Sequence, residues 1–327
     1  MSSAAEVELG LRDVLNSLMD DVEIANLHRL SIGASRETWS FDAVAGSLRQ
    51  PLIMQRARAG AVQIGLGPAE AAIMGEARAG GVSVPEVVLS GTGGNPLERD
   101  FTIVRRIEGE SIPRRILRDA RLDSARQTFV ADCARELAAI HALDGSEWHD
   151  VLPAVGDPVE FQRLTYESFD DPHPVFDLVY RWLAANRPTD LLSCVVHGDF
   201  RLGNLLVDES GLAAVLDWEL CHIGDPRSDL GWLCARAWRF GGTGEVAGIG
   251  SKAELLESYE AAGGRSFDAT ELRWWEILAT LRWGNACLVL VDDFRCGRTR
   301  SIEMAMVGRR IAEVEYDALS LLPELVS

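Results

Sequence analysis

A change of apolar period near residue 107 constrains the fold of this 327-residue chain more than any other feature. Residues 6 to 19 place Val7, Leu11, Val14, Leu15 and Leu18 at helical spacing, which predicts a first helix. The stretch HRLSIGASRETWSFDAV then reads as strand, short Gly/Ser turn and strand, and PLIMQRA as a third strand opened by Pro51. Pro68 through Gly80-Gly81 has helix-forming composition, with proline early and glycine late. Two more strands are expected around a loop rich in Gly, Asn and Pro at residues 91 to 96. From residue 108 helical spacing takes over. SARQTFVADCARELAAIHALD aligns Phe129, Val130, Cys133, Leu137 and Ile140 on one face, and a further long helical region begins near Thr270. A β-rich lobe of residues 1–107, joined through VRRIEG to a larger, mainly helical lobe of residues 108–327, is an α+β arrangement with a cleft between its parts.

Charge narrows the partners. With 50 acidic and 32 basic side chains the net charge is −18, which argues against nucleic acid and against an anionic membrane surface. Of that, −15 falls in residues 108–327, a field that suits a cationic substrate or serves solubility alone. No apolar run reaches 18 residues and the N-terminus is acidic, so a cytoplasmic location is expected. The six cysteines lack CxxC spacing, as reduced core thiols do. No feature of the sequence sets an oligomeric state.

The chemistry concentrates in HGDFRLGNLL, residues 197–206, directly after the apolar run LLSCVV. Beyond it, NLLVDESGLAAVLDWE sets two short apolar runs about Asp208-Glu209-Ser210-Gly211, a hairpin signal. Pairing about that turn brings Asn204 within a residue or two of Asp217 and joins an amide oxygen to a carboxylate. Such donors suit Mg²⁺, which takes few protein ligands and fills its other positions with water and phosphate oxygens. Phosphoryl transfer needs a carboxylate to accept the proton of the attacking hydroxyl, metal ligands to hold the nucleotide, and a cation near the γ-phosphate. Asp199, the pair Asn204 and Asp217, and Arg201 fit those three roles, with His197 beside them. The five-residue step from Asp199 to Asn204 equals that of the protein-kinase pattern H-R-D-x-x-x-x-N.

These residues resemble the aminoglycoside phosphotransferase family, kinase-like enzymes that phosphorylate small molecules. His197-Gly198-Asp199 with Asn204 match its HGD….N catalytic loop, Asp217-Trp218-Glu219 its metal-aspartate segment, and Gly224-Asp225-Pro226 with Asp229-Leu230 its later GDP..DL. Weaker similarity runs from LSIGASRETW through GVSVPEV and FTIVRRIEGESIP to ELAAIHALD. The resemblance implies a bilobal protein-kinase-like fold and Mg²⁺-dependent transfer from ATP or GTP to a hydroxyl of a small molecule. It implies catalytic roles for Asp199, Arg201 and His197 and metal ligation by Asn204 and Asp217. It also sets Gly33 and Ser35 in a phosphate loop, and Val104 and Arg106 at a nucleotide-facing hinge.

On the third strand such relatives carry a cation for the α- and β-phosphates, paired with a helix glutamate. Here the best-matching residue is Gln55, with Arg56 next to it. Alternate strand residues face opposite sides, so either Gln55 enters the cleft and the cation is lost, or a one-residue shift lets Arg56 serve. The expectation adopted is Arg56 paired with Glu70. The acceptor stays open between an antibiotic (aminoglycoside-like, macrolide or nucleoside) and a metabolic hydroxyl compound such as a hydroxyacyl-CoA, a sugar or an amino alcohol. Two other classes compete. One is a metal-dependent hydrolase using His197, Asp199, Asp217 and Asp225; the other is a pseudokinase, motivated by Gln55.

Overall fold

The computed structural model describes residues 3–32, 36–57 and 68–323. Gly33 and Ser35 therefore lie outside the described residues. Helix α1 (Ala4–Leu15) opens on a capping box in which Ser3 and Glu6 satisfy each other's backbone N–H groups. Strands β1 (Glu23–Ile32), β2 (Arg36–Ala45) and β3 (Leu48–Ala57) follow, then helix α2 (Pro68–Ala79) and strands β4 (Val87–Gly91) and β5 (Phe101–Arg105). They form one antiparallel sheet in the order β1-β2-β3-β5-β4.

Strand alternation divides the sheet into two chemistries. Trp39, Phe41, Leu52, Met54 and Ile103 pack on Val7, Leu11 and Leu15 of α1 and close the small lobe's core. The other face turns Arg36, Thr38, Ser40, Ile53, Gln55 and Val104 toward the cleft. Pro51 does not open β3, which begins at Leu48. Its carbonyl accepts from Arg106 N–H at 3.0 Å, so its missing donor faces the same side, beyond the last β3–β5 register pair, Leu52 with Arg105. The one bond that a proline cannot return to Arg106 thus falls at the end of the β3–β5 ladder, where its loss interrupts no run of pairs.

The larger lobe starts with the one-turn α3 (Pro113–Ile116) and the long α4 (Asp123–His141), then α5 (Pro158–Glu167) and α6 (Pro174–Ala185). Short strands follow: β6 (Cys194–Val196), the hairpin β7 (Leu205–Asp208) and β8 (Gly211–Val215), and β9 (His222–Gly224), which pairs with β6. Helices α7 (Arg227–Cys234), α8 (Lys252–Ala261), α9 (Ala269–Arg295), α10 (Ile302–Val307) and α11 (Ile311–Leu321) complete it. Phe129, Cys133, Leu137 and Ile140 of α4, the face legible in the sequence, pack against Leu205, Val215 and Trp218 around the hairpin. Each such side chain stabilises by about 1.5–3 kcal/mol through burial, which anchors the hairpin to the lobe's main helix.

Helix α2 belongs to this core and not to the small lobe's. Ile73, Met74 and Ala77 share a cluster with α4, and Glu136 of α4 accepts from both Ser83 N–H (2.7 Å) and Ser83 Oγ (2.9 Å) just beyond α2. Glu70, in the first turn of α2, thereby faces the same cleft as Asn204 and Asp217. Among the described residues no helix is long and apolar enough to cross a membrane. All six cysteines are free thiols.

Candidate active site

The polar segment after β6 is tied down from below by one carboxylate. Asp229, buried in the first turn of α7, accepts from His197 N–H at 2.7 Å and from Gly198 N–H at 2.9 Å. Gly198 has φ +78°, and a Cβ there would lie 2.1 Å from the Leu220 carbonyl oxygen, so the turn admits only glycine. His197 is fully buried, and burial lowers its pKa from the usual imidazole range. Asp199 N–H donates to its Nδ1 at 3.1 Å, which leaves the proton on Nε2, 3.1 Å from the Leu216 carbonyl. Both ring nitrogens are engaged by backbone. His197 is thus a positioning residue, a correction to the catalytic role expected of it.

Asp199 sits at the loop's apex among three donors. Its Oδ1 accepts from Arg201 Nε (3.0 Å) and from Trp232 Nε1 (2.8 Å), and its Oδ2 from Asn204 Nδ2 (2.6 Å). Arg201 lies over the Trp238 ring at 4.4 Å. The hairpin register pairs Leu205 with Val215, so Asn204 stands opposite Leu216, whose N–H donates to the Asn204 carbonyl at 2.8 Å. Asp217 is the next residue and adopts φ +64°, a conformation uncommon outside glycine. Burial, then Glu219 and Asp199, push the Asp217 carboxyl up to about 7 against the pull of Arg36.

Above this floor lies a cleft of about 960 Å³ that carries Asn204, Asp217 and Glu219 on one side and Arg36, Gln55 and Glu70 on the other. Val104 and Arg106 line it too, and Arg106 donates to Ser40 Oγ at 3.0 Å. Arg56 does not. It projects from the opposite face of β3, is buried, and pairs with Glu37 at 2.8 Å. The expected pairing of Arg56 with Glu70 is corrected: both oxygens of Glu70 accept from Arg36 of β2, Oε1 at 2.9 Å. The physical reason is the two-residue period. Gln55 faces the cleft beside Thr38, its register partner, and Arg56 must then face away.

A second, smaller cavity of about 300 Å³ shares Glu219 with the cleft and is walled by Phe161, Leu220, Trp275, Leu278 and Arg282. Arg282 lies over the Trp232 ring at 4.2 Å and donates to the Gly198 carbonyl, which sets this cavity beside Asp199. The four residues of the hydrolase reading do not gather around a common point. Asp225 accepts from Leu192 N–H at 2.8 Å and pairs with Arg227 at 2.7 Å, His197 is engaged by backbone, and no group of three His, Cys, Asp or Glu side chains suited to a metal occurs among the described residues. Trp232, Arg36 and Arg282 were not singled out by the sequence. Trp232 stands in LGWLCARAW, a tryptophan-rich stretch that reads as packing of the helical core.

A β-sheet lobe over a helical lobe, with an H-G-D loop and a carboxylate hairpin at their junction, defines a protein-kinase-like small-molecule phosphotransferase. The chain belongs to the phosphotransferase enzyme family (APH), whose family model matches residues 26–275. Its fold is shared with a candidate aminoglycoside phosphotransferase of Ralstonia eutropha JMP134 at a TM-score of 0.71, with 22% identity over 95% of this chain and 97% of that one. The GDP and kanamycin complex of APH(2")-IIia superposes at a TM-score of 0.64, with 15% identity over 93% of this chain and 96% of that one. Acyl-CoA dehydrogenase family member 11 of Rattus norvegicus is 29% identical over 169 residues, 47% of this chain and 21% of that protein. The chain thus matches about a fifth of that relative's length.

Proposed function

We propose that the chain transfers the γ-phosphoryl group of ATP or GTP to a hydroxyl of a small molecule, with Asp199 accepting the hydroxyl proton. The observation that carries this reading is the meeting of Asp199, Asn204 and Asp217 below a cleft whose roof holds the Arg36–Glu70 pair. Three N–H donors fix the Asp199 carboxylate in one orientation, as a proton acceptor requires. The acceptor oxygen loses its proton to Asp199 and bonds to the γ-phosphorus. The bond from that phosphorus to the bridging oxygen breaks, and the nucleoside diphosphate leaves with its electrons.

The donors fit Mg²⁺. Asn204 uses its Nδ2 toward Asp199, so its amide oxygen is the atom left for a cation. Asp217 is a carboxylate held up at about 7 by burial beside other acids, and a divalent charge would relieve it. When bound, Mg²⁺ would neutralise charge on the β- and γ-phosphates. GDP in the APH(2")-IIia complex supports a nucleotide in this cleft.

For the acceptor, the small cavity favours the metabolic class over a polycationic antibiotic. Phe161, Leu220, Trp275 and Leu278 offer it apolar surface, and its two charged wall residues are Glu219, already paired with Arg36, and Arg282, which bonds to the loop. A polycation would meet that guanidinium and surrender its water to apolar walls, which is costly. An uncharged alcohol with an apolar body meets neither penalty.

The test incubates the protein with Mg-ATP and Mg-GTP and two panels, aminoglycosides and apolar hydroxyl compounds, with Asp199→Asn as control. Phosphorylated product is expected from the second panel and none from the control. Product from aminoglycosides alone would overturn the acceptor assignment. No turnover, together with no nucleotide binding, would overturn the whole reading.

A further inference from the structure

We infer that Arg36 on β2 supplies the phosphate-binding cation that a kinase-like fold ordinarily takes from its third strand, and that the neutral Gln55 is its counterpart. The inference rests on the nucleotide-binding reading above.

Three observations carry it. The cleft position of β3 belongs to Gln55, because Ile53 and Gln55 line the cavity while Leu52, Met54 and Arg56 face the other way. Arg36 pairs in register with Ala57, so it stands diagonal to Gln55 on the same face of the sheet. Diagonal neighbours on a sheet face are roughly 7–8 Å apart, within reach of an arginine side chain. The guanidinium also occupies the charge environment the role demands. It pairs with both oxygens of Glu70, and its Nε lies 3.3 Å from Glu219, two residues after the expected metal ligand Asp217.

Charge balance explains the glutamine. A second cation at position 55 would compete with Arg36 for Glu70 in a partly buried site, where like charges repel more strongly than in water. With Gln55 the site keeps one fork-shaped cation held between two carboxylates, Glu70 above and Glu219 below. A guanidinium so held can turn one edge to a phosphate while the other keeps its carboxylate, which a compact ammonium does less well.

The test measures binding of Mg-AMP-PNP and Mg-GMP-PNP, and of plain adenosine and guanosine, to wild type, Arg36→Gln and Arg36→Lys. Loss of a charge-assisted phosphate contact predicts triphosphate-analogue binding about ten- to hundredfold weaker in Arg36→Gln, with nucleoside binding unchanged and Arg36→Lys between the two. Nucleotide and nucleoside affinities that fall together would mark a structural role and overturn the inference, as would an unchanged nucleotide affinity. Arg36→Lys keeps a cation opposite Glu70, so it carries the comparison if Arg36→Gln does not fold. Asp199→Asn separates the two levels of argument. If it abolishes turnover while Arg36→Gln binds nucleotide as wild type does, the kinase reading stands and the cation assignment falls. A wild type that binds no nucleotide brings down both.

Discussion

Replacing Asp229 by asparagine probes how the His197-Gly198-Asp199 loop is held. The carboxylate is buried, and each oxygen accepts a backbone N–H, His197 at 2.7 Å and Gly198 at 2.9 Å, while His141 Nε2 stands 3.3 Å from Oδ2. Asparagine offers one acceptor oxygen. Its amide nitrogen must face one of the two backbone donors, and a buried donor left unpaired costs about 1–3 kcal/mol. The surviving bond loses its charge assistance, worth about another 1 kcal/mol. The expected destabilisation is therefore about 2–4 kcal/mol, a fall in Tm of roughly 3–6 °C for a chain of this size. Burial works to raise the Asp229 carboxyl, yet hydrogen bonding and charge from His141, then His197, hold it below the usual value of 3.8. The native state thus binds fewer protons than the unfolded chain near that pH, so this stabilisation is full above 3.8 and fades as pH falls through the depressed native value. Differential scanning calorimetry of wild type and variant at several pH values checks it. The Tm gap should be constant from about pH 5 to 8 and narrow below about pH 4. Equal Tm values at pH 7, or a gap that widens in acid, would refute the reasoning.

The remaining predictions concern the atoms around Asp199. Trp232→Phe keeps the ring and removes the 2.8 Å Nε1–H donor; kcat should fall about tenfold or more with the nucleotide KM little changed, read from initial rates. Gly198→Ala places a methyl 2.1 Å from the Leu220 carbonyl at φ +78°, so it should destabilise by more than about 3 kcal/mol, seen as a lowered denaturant midpoint or loss of soluble protein. Adding Mg²⁺ with a non-hydrolysable triphosphate should stabilise the fold by about 2.7 kcal/mol at a hundredfold excess over Kd, seen as a Tm that rises with concentration, and Asp217→Asn should remove most of that rise in a thermal-shift titration.

Where a site is built from neighbours along the chain, its chemistry is legible in the sequence. Asp208 and Gly211 bracket a two-residue turn whose Ser210 N–H returns to Asp208 at 2.7 Å, and that local geometry alone carries Asn204 to the edge of Asp217. The same holds for the helix face Phe129, Cys133, Leu137, Ile140, which a 3.6-residue period selects. The legibility ends where a role is met across strands or between distant helices. Looking for a cation on β3 considers positions 55 and 56 and decides between them only by register, and register is a property of the pairing with β2. The cation that meets Glu70 comes from β2 itself, 34 residues before it in the chain. Trp232 reaches Asp199 across 33 residues and Arg282 reaches Gly198 across 84, and nothing in their own neighbourhoods distinguishes these side chains from the ring-packed core around them. His197 shows the converse: its identity suggested chemistry, and only the placement of Leu216 and of the Asp199 backbone shows both ring nitrogens engaged.

This difference bears on how the nucleotide site tolerates change. The groups at the floor are fixed by one hairpin and one buried carboxylate, so a substitution there must break local geometry to alter function. The cation of the roof depends on which residues of the sheet's cleft face point inward. Two strands can each deliver a side chain to the same region, and on the inference drawn for Arg36 the requirement is for one positive charge opposite Glu70, whichever strand provides it. A glutamine on β3 is therefore compatible with nucleotide binding in this chain, and the pseudokinase reading, which rested on Gln55 alone, loses its motive once Arg36 stands bonded to both oxygens of Glu70.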